Sequence, residues 1–312
     1  MILGFDVGGT NARGLLVDPT TRSVIDRARA SSAGPGAAVV ATLVEITREL
    51  ERANAVSVDA VGLGVAGLVT TDGVVRYSPN LAQLVEFPLG PELSDALGIP
   101  VTAMNDATTG TWAEAKLGAG RGADDFAFVA LGTGIGTGFV VGGQLVHGAH
   151  GFAGEAGHMV VDADGPAHIT GQQGPWEYYA SGSALGRRGR EAAHDGRFDA
   201  AIDLAGGVAA ITGLHVADAL AAGDDDAARV FDEFCRDVAR GCANLVVVLD
   251  PQRIVIGGGL TGIGEPLRRG VDDWLHELLL ASDHRPRVEV RLAELGDDAG
   301  ALGAALVAID AA

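Results

Sequence analysis

The stretch Asp6-Val7-Gly8-Gly9-Thr10-Asn11 is the most informative local pattern of the chain. It completes an apolar run that starts at Ile2, and residues 13–17, apolar from Leu15 onward, follow it, so the pattern predicts strand, glycine turn and strand. Glycines lack a side chain, so the backbone N–H groups of such a turn can approach a polyphosphate, and Thr10 adds a hydroxyl donor. Asp6, at the strand end, is a candidate Mg²⁺ ligand through water. A simple tight hairpin would explain the turn equally well.

The same pattern returns near the middle of the chain. Residues 126–131 are typical of a strand, Gly132-Thr133-Gly134-Ile135-Gly136-Thr137-Gly138 of a glycine turn, and residues 139–141 of another strand. This internal echo indicates a duplicated fold. Two such turns could hold one phosphate chain from both sides. Neither stretch has the Gly-x-x-x-x-Gly-Lys-Ser/Thr pattern of a P-loop.

Strands and helices alternate along the rest of the chain, which predicts an α/β fold. Helices are predicted over 35–54, 107–117, most of 181–248 and 299–309, and strands over 58–65, 100–104, 253–256 and 288–292. A length of 312 residues suggests two domains. We expect a smaller N-terminal α/β domain of 1–112 plus 297–312, completed by the C-terminal helix, and a larger α/β domain of 113–296. The helix around Trp112 is expected to cross between them.

Composition excludes several classes of function. The net charge of −19, from 41 acidic and 22 basic residues, argues against binding to a nucleic-acid backbone. No apolar run reaches the about 20 residues that a membrane-spanning helix needs, and the N-terminus lacks a basic segment followed by a long apolar one. We therefore expect a cytoplasmic protein without nucleic-acid or membrane partners. Cys235 and Cys242, seven residues apart, are expected to be buried free thiols.

A third glycine turn, Gly257-Gly258-Gly259-Leu260-Thr261-Gly262, follows the strand predicted over 253–256 and fits Gly-x-Gly-x-x-Gly. A dinucleotide site would also need an acidic residue about 20 positions further on, at the end of another strand. The acidic residues found there, Asp272, Asp273 and Glu277, lie in a helical pattern. We therefore favour a turn that borders a nucleotide base.

Asn105-Asp106 stands between a predicted strand and the helix that follows it. Asp106 could be the N-cap of that helix, a position that Asp fills well. It could instead be a general base, because phosphoryl transfer needs a carboxylate that orients a hydroxyl and accepts its proton. Glu155, His158 and Glu177 add carboxylates and an imidazole suited to the hydroxyls of a polyol.

Taken together, these motifs resemble the ROK family (repressors, uncharacterised reading frames and sugar kinases), and within it the bacterial glucokinases. The resemblance runs nearly end to end. It rests on Asp6-Val7-Gly8-Gly9-Thr10, Ser78-Pro79-Asn80-Leu81, Asn105-Asp106-Ala107, Leu131-Gly132-Thr133-Gly134-Ile135-Gly136, Gly154-Glu155-Ala156-Gly157-His158-Met159, Tyr179-Ala180-Ser181-Gly182 and Gly257-Gly258-Gly259.

The resemblance implies an actin-like (ribonuclease H-like) duplicated fold, with two α/β domains that close over a sugar in the cleft between them. It implies phosphorylation of glucose at the 6-hydroxyl with Mg²⁺-ATP, and a homodimer or homotetramer. The implied base is Asp106. The implied substrate-binding residues are Gly67, Asn80, Asn105, Asp106, Glu155, His158 and Glu177. The implied ATP-binding residues are Asp6, Gly8, Gly9, Thr10, Asn11, Gly132, Thr133, Gly134, Gly257, Gly258 and Gly259.

One departure from the family concerns metal. The family usually holds a structural zinc with a His and three Cys of a Cys-x-Cys-Gly-x-x-Gly-Cys-x-Glu segment. The corresponding stretch here is 168–177, where the cysteine positions carry His168, Thr170 and Pro175. Structural zinc takes four N or S ligands, so we expect no zinc. Because the glycine spacing and Glu177 remain, we expect the loop to persist without metal.

Several alternatives stay open at this stage. Another hexose or an N-acetylhexosamine could be the substrate, and polyphosphate could be the phosphoryl donor. A sugar-binding protein without catalysis would also fit the motifs, although Asp106 is present. A transcriptional regulator of the same family would carry a DNA-binding segment ahead of the first glycine turn, which here starts at residue 6.

Overall fold

The structure is a computed structural model and describes residues 1–311. Its strands are β1 (Ile2–Val7), β2 (Asn11–Val17), β3 (Val24–Ser31), β4 (Ala60–Val65), β5 (Leu68–Val69), β6 (Val75–Tyr77), β7 (Val101–Asn105), β8 (Phe126–Leu131), β9 (Ile135–Val141), β10 (Gln144–Leu145), β11 (Arg253–Gly257) and β12 (Glu289–Leu292). Its α-helices are α1 (Gly36–Asn54), α2 (Leu89–Leu97), α3 (Asp106–Leu117), α4 (Trp176–Ala180), α5 (Gly182–His194), α6 (Asp199–Ala205), α7 (Gly213–Ala221), α8 (Asp225–Leu249), α9 (Glu265–Leu278) and α10 (Ala299–Ala311).

Two five-stranded sheets repeat one plan. The first has the order β3-β2-β1-β4-β7, in which β1, β2 and β3 are antiparallel neighbours, and β4 is parallel to both β1 and β7. The second has the order β10-β9-β8-β11-β12, with β8, β11 and β12 parallel and β9 antiparallel to β10. In both sheets the central strand leads into one of the predicted glycine turns. The duplication predicted from the two sequence patterns is therefore present in the fold.

Contacts divide the chain into two units. The first comprises Met1–Asp124, Gly138–Gly154 and the chain from Glu294 onward, and the second comprises Asp125–Thr137 and Glu155–Ala293. This division differs from the expected boundaries of 1–112 plus 297–312 and 113–296. The two units are also of similar length, rather than one smaller and one larger.

Helix α3 explains the difference at the first boundary. It packs against α10 and β4, and the indole Nε1 of Trp112 donates a hydrogen bond to the Asp310 carboxylate at 2.8 Å. Its residues are buried on several sides of the helix rather than along one stripe. Because these contacts are with elements of the first unit, the whole helix belongs to that unit and does not cross between the two.

A buried carboxylate that sequence analysis did not single out also holds the first unit together. Glu114 of α3 is fully buried. Its carboxylate accepts hydrogen bonds from the backbone N–H groups of Ala119 at 2.7 Å, Leu295 at 2.9 Å and Glu294 at 3.1 Å. Buried carboxylates require such partners. Glu114 thus fastens the end of α3 to the segment that precedes α10.

The structure differs from the predicted secondary structure at several places. β3, α2 and the two-stranded β5–β6 sheet were not predicted. β9 begins at Ile135 rather than at residue 139, because the turn before it already closes with a Gly132 N–H to Gly134 carbonyl bond of 3.0 Å.

Cys235 and Cys242 are buried free thiols as expected. Within the described residues, no helix has the length and apolarity to cross a membrane.

Candidate active site

The first glycine turn joins β1 to β2 in the first unit. The Gly8 N–H donates to the Asn11 carbonyl at 3.0 Å and closes the turn. Ser32, which is fully buried, donates from its hydroxyl to the Gly8 carbonyl at 2.6 Å and from its N–H to the Thr10 carbonyl at 3.2 Å. Gly9 and Thr10 remain exposed. Ser32 therefore binds the carbonyls of Gly8 and Thr10, while Gly9 and Thr10 stay exposed to solvent.

The Ser78–Leu81 stretch lies directly against this turn. A Cβ atom at Gly9 would come within 2.6 Å of the Asn80 carbonyl oxygen, so the two backbones touch. Ser78 is buried, and its hydroxyl accepts a hydrogen bond from the Leu81 N–H at 3.1 Å. Gly67 has a φ of +119°, and a Cβ there would lie 2.2 Å from the Tyr77 carbonyl oxygen. The stretch is thus held between the first turn and Gly67, with Asn80 exposed.

Asn105, rather than Asp106, is the N-cap of α3. The Asn105 side-chain oxygen accepts hydrogen bonds from the N–H groups of Ala107 at 2.8 Å and Thr108 at 3.1 Å. Its amide donates to the Gly67 carbonyl at 3.1 Å. Asp106 begins the helix, and its carboxylate accepts from the Ala107 N–H at 2.8 Å. The capping interpretation of Asp106 is therefore wrong, because its neighbour fills that position.

Asp106 and Asp6 form a pair of interacting acidic groups in the first unit. Burial raises the pKa of Asp106 above its ordinary value, against the opposing effect of the Ala107 N–H. The pKa of Asp6 is raised from 3.8 to about 6, mainly by burial and then by the charge of Asp106. Both shifts follow from the cost of moving a carboxylate charge out of water.

Arg13 opposes the shift at Asp6. It lies directly across from Asp6 in the β1–β2 register, and its positive charge lowers the pKa of Asp6. The Arg13 guanidinium also donates to the Asp297 carbonyl and lies 3.3 Å from the Asp297 carboxylate and 3.5 Å from that of Asp298. Sequence analysis overlooked Arg13, because only the register of β1 with β2 shows that it lies beside Asp6 on one face of the sheet.

The second glycine turn, between β8 and β9, belongs to the second unit and is held by Glu177. The carboxylate Oε2 of Glu177 accepts a hydrogen bond from the Ile135 N–H at 2.7 Å. A Cβ at Gly134 would fall 2.2 Å from that oxygen, so the carboxylate packs directly on the turn. On the other side, the Gly182 N–H donates to the Gly132 carbonyl at 2.7 Å. Thr133 lies between these two fixed points.

In the same unit, Glu155 precedes a short 3₁₀ turn, Ala156–His158, and His158 is its last residue. The Ala156 N–H donates to the hydroxyl of the buried Thr137 at 3.0 Å, which ties this turn to β9. His158 Nε2 lies 3.8 Å from Glu155 Oε2. His158 Nδ1 is buried and has no hydrogen-bond partner among the residues that the structure describes.

The segment from His158 to Glu177 folds back on itself. Bridges pair Val160 with Pro175 and Ala167 with Gln173. Trp176 is fully buried, and its indole donates to the Asp237 carbonyl at 2.9 Å. The segment is therefore held by strand-like pairing and by one aromatic anchor.

The side chains at positions 168, 170 and 175, where the family usually carries Cys, do not suit a structural zinc. His168 Nδ1 lies 2.9 Å from the Thr170 hydroxyl, and its Nε2 lies 3.4 Å from Glu177 Oε1. Thr170 and Pro175 are not the N or S ligands that such sites use. Across residues 1–311, no three His, Cys, Asp or Glu side chains are grouped to hold a metal.

The third glycine turn lies beside the second. Gly257 pairs with Ala130 of β8, and a Cβ at Gly258 would come within 2.5 Å of the Leu131 carbonyl oxygen. The Thr261 hydroxyl donates to the Gly258 carbonyl at 2.8 Å and shapes the turn. Gly258 and Gly259 are exposed. The second unit thus brings the predicted residues 132–134 and 257–259 to one end of its sheet.

Comparison with known proteins places this arrangement among sugar kinases. The chain is 33% identical to a glucokinase of Streptomyces coelicolor, covering 98% of this chain and 96% of that protein. It is also 33% identical to an N-acetylmannosamine kinase of Citrobacter koseri, covering 98% of both. Among solved structures, a ROK family glucokinase of Streptomyces griseus in complex with glucose and AMPPNP matches with a TM-score of 0.87 and 32% identity over 99% of each chain.

The structural match confirms the actin-like α/β fold that the sequence motifs implied. The sequence profile of the ROK family matches residues 2–311, almost the whole chain. This extent agrees with the distribution of the motifs, which begin at Asp6 and recur beyond Gly257. The chain belongs to the ROK family.

Proposed function

We propose that this protein is a sugar kinase that transfers the γ-phosphoryl group of ATP to the 6-hydroxyl of glucose. The observation that carries the proposal is Asp106, a half-buried residue at the first position of α3 whose carboxylate has a raised pKa. A raised pKa makes a carboxylate a stronger proton acceptor, as a general base requires. Since Asn105 caps the helix, the Asp106 carboxylate is not needed for that task.

The proposed sugar-binding residues are Gly67, Asn80, Asn105, Asp106, Glu155, His158 and Glu177. Asn105 has already used its oxygen and one amide N–H within the protein, which leaves one N–H for a hydroxyl. Glu177 accepts one backbone N–H on Oε2 and has lone pairs left for hydroxyl donors. The buried, unpartnered Nδ1 of His158 supports a role in binding a polar ligand, because such an atom is costly to leave unpaired.

The proposed ATP-binding residues are Asp6 and the three glycine turns, at residues 8–11, 132–134 and 257–259. Exposed backbone at Gly9, Thr10, Gly258 and Gly259 supports this assignment, because backbone N–H groups can bind phosphate oxygens. Asp6 would hold Mg²⁺ through water, and a pKa of about 6 leaves it ionised at neutral pH. The ion would neutralise charge on the phosphates.

N-Acetylmannosamine is the second candidate substrate, because a kinase for that sugar is as similar in sequence as the glucokinase. The test is a panel of glucose, mannose, galactose, fructose, N-acetylglucosamine and N-acetylmannosamine, each assayed with Mg²⁺-ATP and with polyphosphate. We expect glucose with ATP to give the highest kcat/KM, and phosphorus NMR to place the phosphate on the 6-hydroxyl. A preference for N-acetylmannosamine or for polyphosphate would refute the proposed specificity, and no turnover of any sugar would refute the kinase.

A further inference from the structure

We infer that His168 is a positioning residue: it holds the Glu177 carboxylate against the second glycine turn in the orientation that the sugar site requires. Three contacts within the second unit connect Thr170 to His168, His168 to Glu177 and Glu177 to Ile135, and together they form what we call the tether. The Thr170 hydroxyl lies 2.9 Å from His168 Nδ1, His168 Nε2 lies 3.4 Å from Glu177 Oε1, and Glu177 Oε2 accepts the Ile135 N–H at 2.7 Å. The assignment of Glu177 to sugar binding rests on the proposed function, whereas the tether itself does not.

The direction of the hydrogen bonds follows from their partners. Glu177 Oε1 lies 3.4 Å from His168 Nε2, and because a carboxylate only accepts, a hydrogen bond between them needs the proton on Nε2. With that proton on Nε2, Nδ1 accepts from the Thr170 hydroxyl, 2.9 Å away. The Thr170 hydroxyl can donate or accept, so it fits the tautomer that donates to Glu177 without selecting it. Both ring nitrogens are used, and the His168 side chain is only 12% exposed.

The backbone fixes where the imidazole stands. The His168 N–H donates to the Gln172 carbonyl at 2.7 Å, and the adjacent Ala167 bridges to Gln173. His168 therefore sits on a closed turn rather than on a free loop. From this turn it reaches Glu177, which lies in the first turn of α4.

Without His168, the Glu177 carboxylate would keep the Ile135 N–H as its one partner among residues 1–311. Glu177 has a flexible side chain, and a carboxylate anchored by one oxygen can turn about that bond. The absence of a Cβ at Gly134 gives the Glu177 carboxylate room against the turn. Loss of His168 should therefore disorder the carboxylate and weaken its bond to Ile135.

The experiment compares His168→Ala with His168→Gln, whose side-chain amide can still donate to Glu177. The matched control is His215→Ala, which also breaks a histidine–threonine pair of this unit, to Thr212 at 3.1 Å, but touches neither Glu177 nor the glycine turn. The first readout is hydrogen–deuterium exchange of the peptide containing Ile135, in the full chain without ligands.

We expect His168→Ala to speed exchange at Ile135 about tenfold, as loss of a hydrogen bond to a charged group implies. His168→Gln should restore most of the protection, and His215→Ala should leave it unchanged. Unaltered exchange in His168→Ala, or equal acceleration by the Gln variant, would overturn the inference. If His168→Ala fails to fold, Thr170→Val serves instead, with a smaller effect in the same direction, and an unchanged exchange rate in that variant would overturn the inference.

The second readout is kinetic. His168→Ala should raise KM for the sugar about tenfold, with smaller changes in kcat and in KM for ATP. An equal loss in kcat with unchanged sugar KM would contradict the positioning role. If the wild-type protein phosphorylates no sugar, the proposed function fails, and the exchange experiment still tests the tether.

Discussion

The side-chain amide of Asn105 donates a hydrogen bond to the carbonyl oxygen of Gly67 at 3.1 Å, while its side-chain oxygen caps α3. One residue thus joins the end of β7, the start of α3 and the bend after β4. Because Asp106 is the next residue, this junction sets the position of the proposed base.

Substitutions of Asn105 can separate its role as the cap of α3 from its bond to Gly67. Asn105→Ala loses the cap and the bond to Gly67, and should lower the free energy of unfolding by about 1–3 kcal/mol. Asn105→Ser keeps a capping oxygen and loses only the bond to Gly67, so its loss should be clearly smaller. Urea unfolding followed by circular dichroism measures both. If Ser proves as destabilising as Ala, the cap contributes nothing here.

Asp106→Asn should abolish most turnover and leave sugar binding largely intact. The amide has nearly the same shape as the carboxylate but cannot accept a proton, and loss of general-base assistance typically costs about 10²–10⁴-fold in rate. Coupled-assay kinetics gives kcat, and calorimetric titration gives the affinity for glucose. Turnover near that of the wild type would exclude Asp106 as the base.

The ionised carboxylate of Asp6 should lower the free energy of unfolding at neutral pH. Its pKa is about 6 in the folded protein and 3.8 without the burial. Between these values the folded state keeps a proton that the unfolded state has lost, so the stability falls as pH rises from about 4 to 6. Asp6→Asn should therefore raise the free energy of unfolding by about 1–3 kcal/mol at pH 8, and have little effect near pH 4.

Asp18 provides a control of opposite sign. Its pKa is lowered by the backbone N–H groups of Thr21 and Thr20, so Asp18→Asn should not stabilise the protein at pH 8. Thermal and urea unfolding of both variants at pH 4 and pH 8 would check the pair. A gain from Asp6→Asn that persists at pH 4 would show that the burial of charge is not its cause.

The purified protein should contain no stoichiometric zinc, and its segment from His158 to Glu177 should be ordered without it. His168 uses both ring nitrogens within the protein, and Thr170 and Pro175 replace thiolate ligands. Elemental analysis and activity after prolonged chelation are the measurements. Stoichiometric zinc together with activity lost on chelation would contradict this.

Patterns that depend on neighbouring residues could be read from the sequence alone. The strand before Gly8, the repeated glycine turn after Leu131 and the position of Asp106 between strand and helix follow from local periodicity and from the absence of glycine side chains. The family followed from the same motifs taken together, because their order and spacing along the chain are themselves sequence properties.

Partners far apart in sequence required the folded chain. Glu177 meets Ile135 across 42 residues, and Glu114 meets Leu295 across 181. No periodicity links such pairs, because the first depends on where α4 lies against β9 and the second on where α3 lies against the segment before α10. The same holds for the raised pKa of Asp6, which depends on burial and on the charge of Asp106. Local sequence specified which groups the chain carries, whereas tertiary packing specified their partners, their solvation and hence their charge.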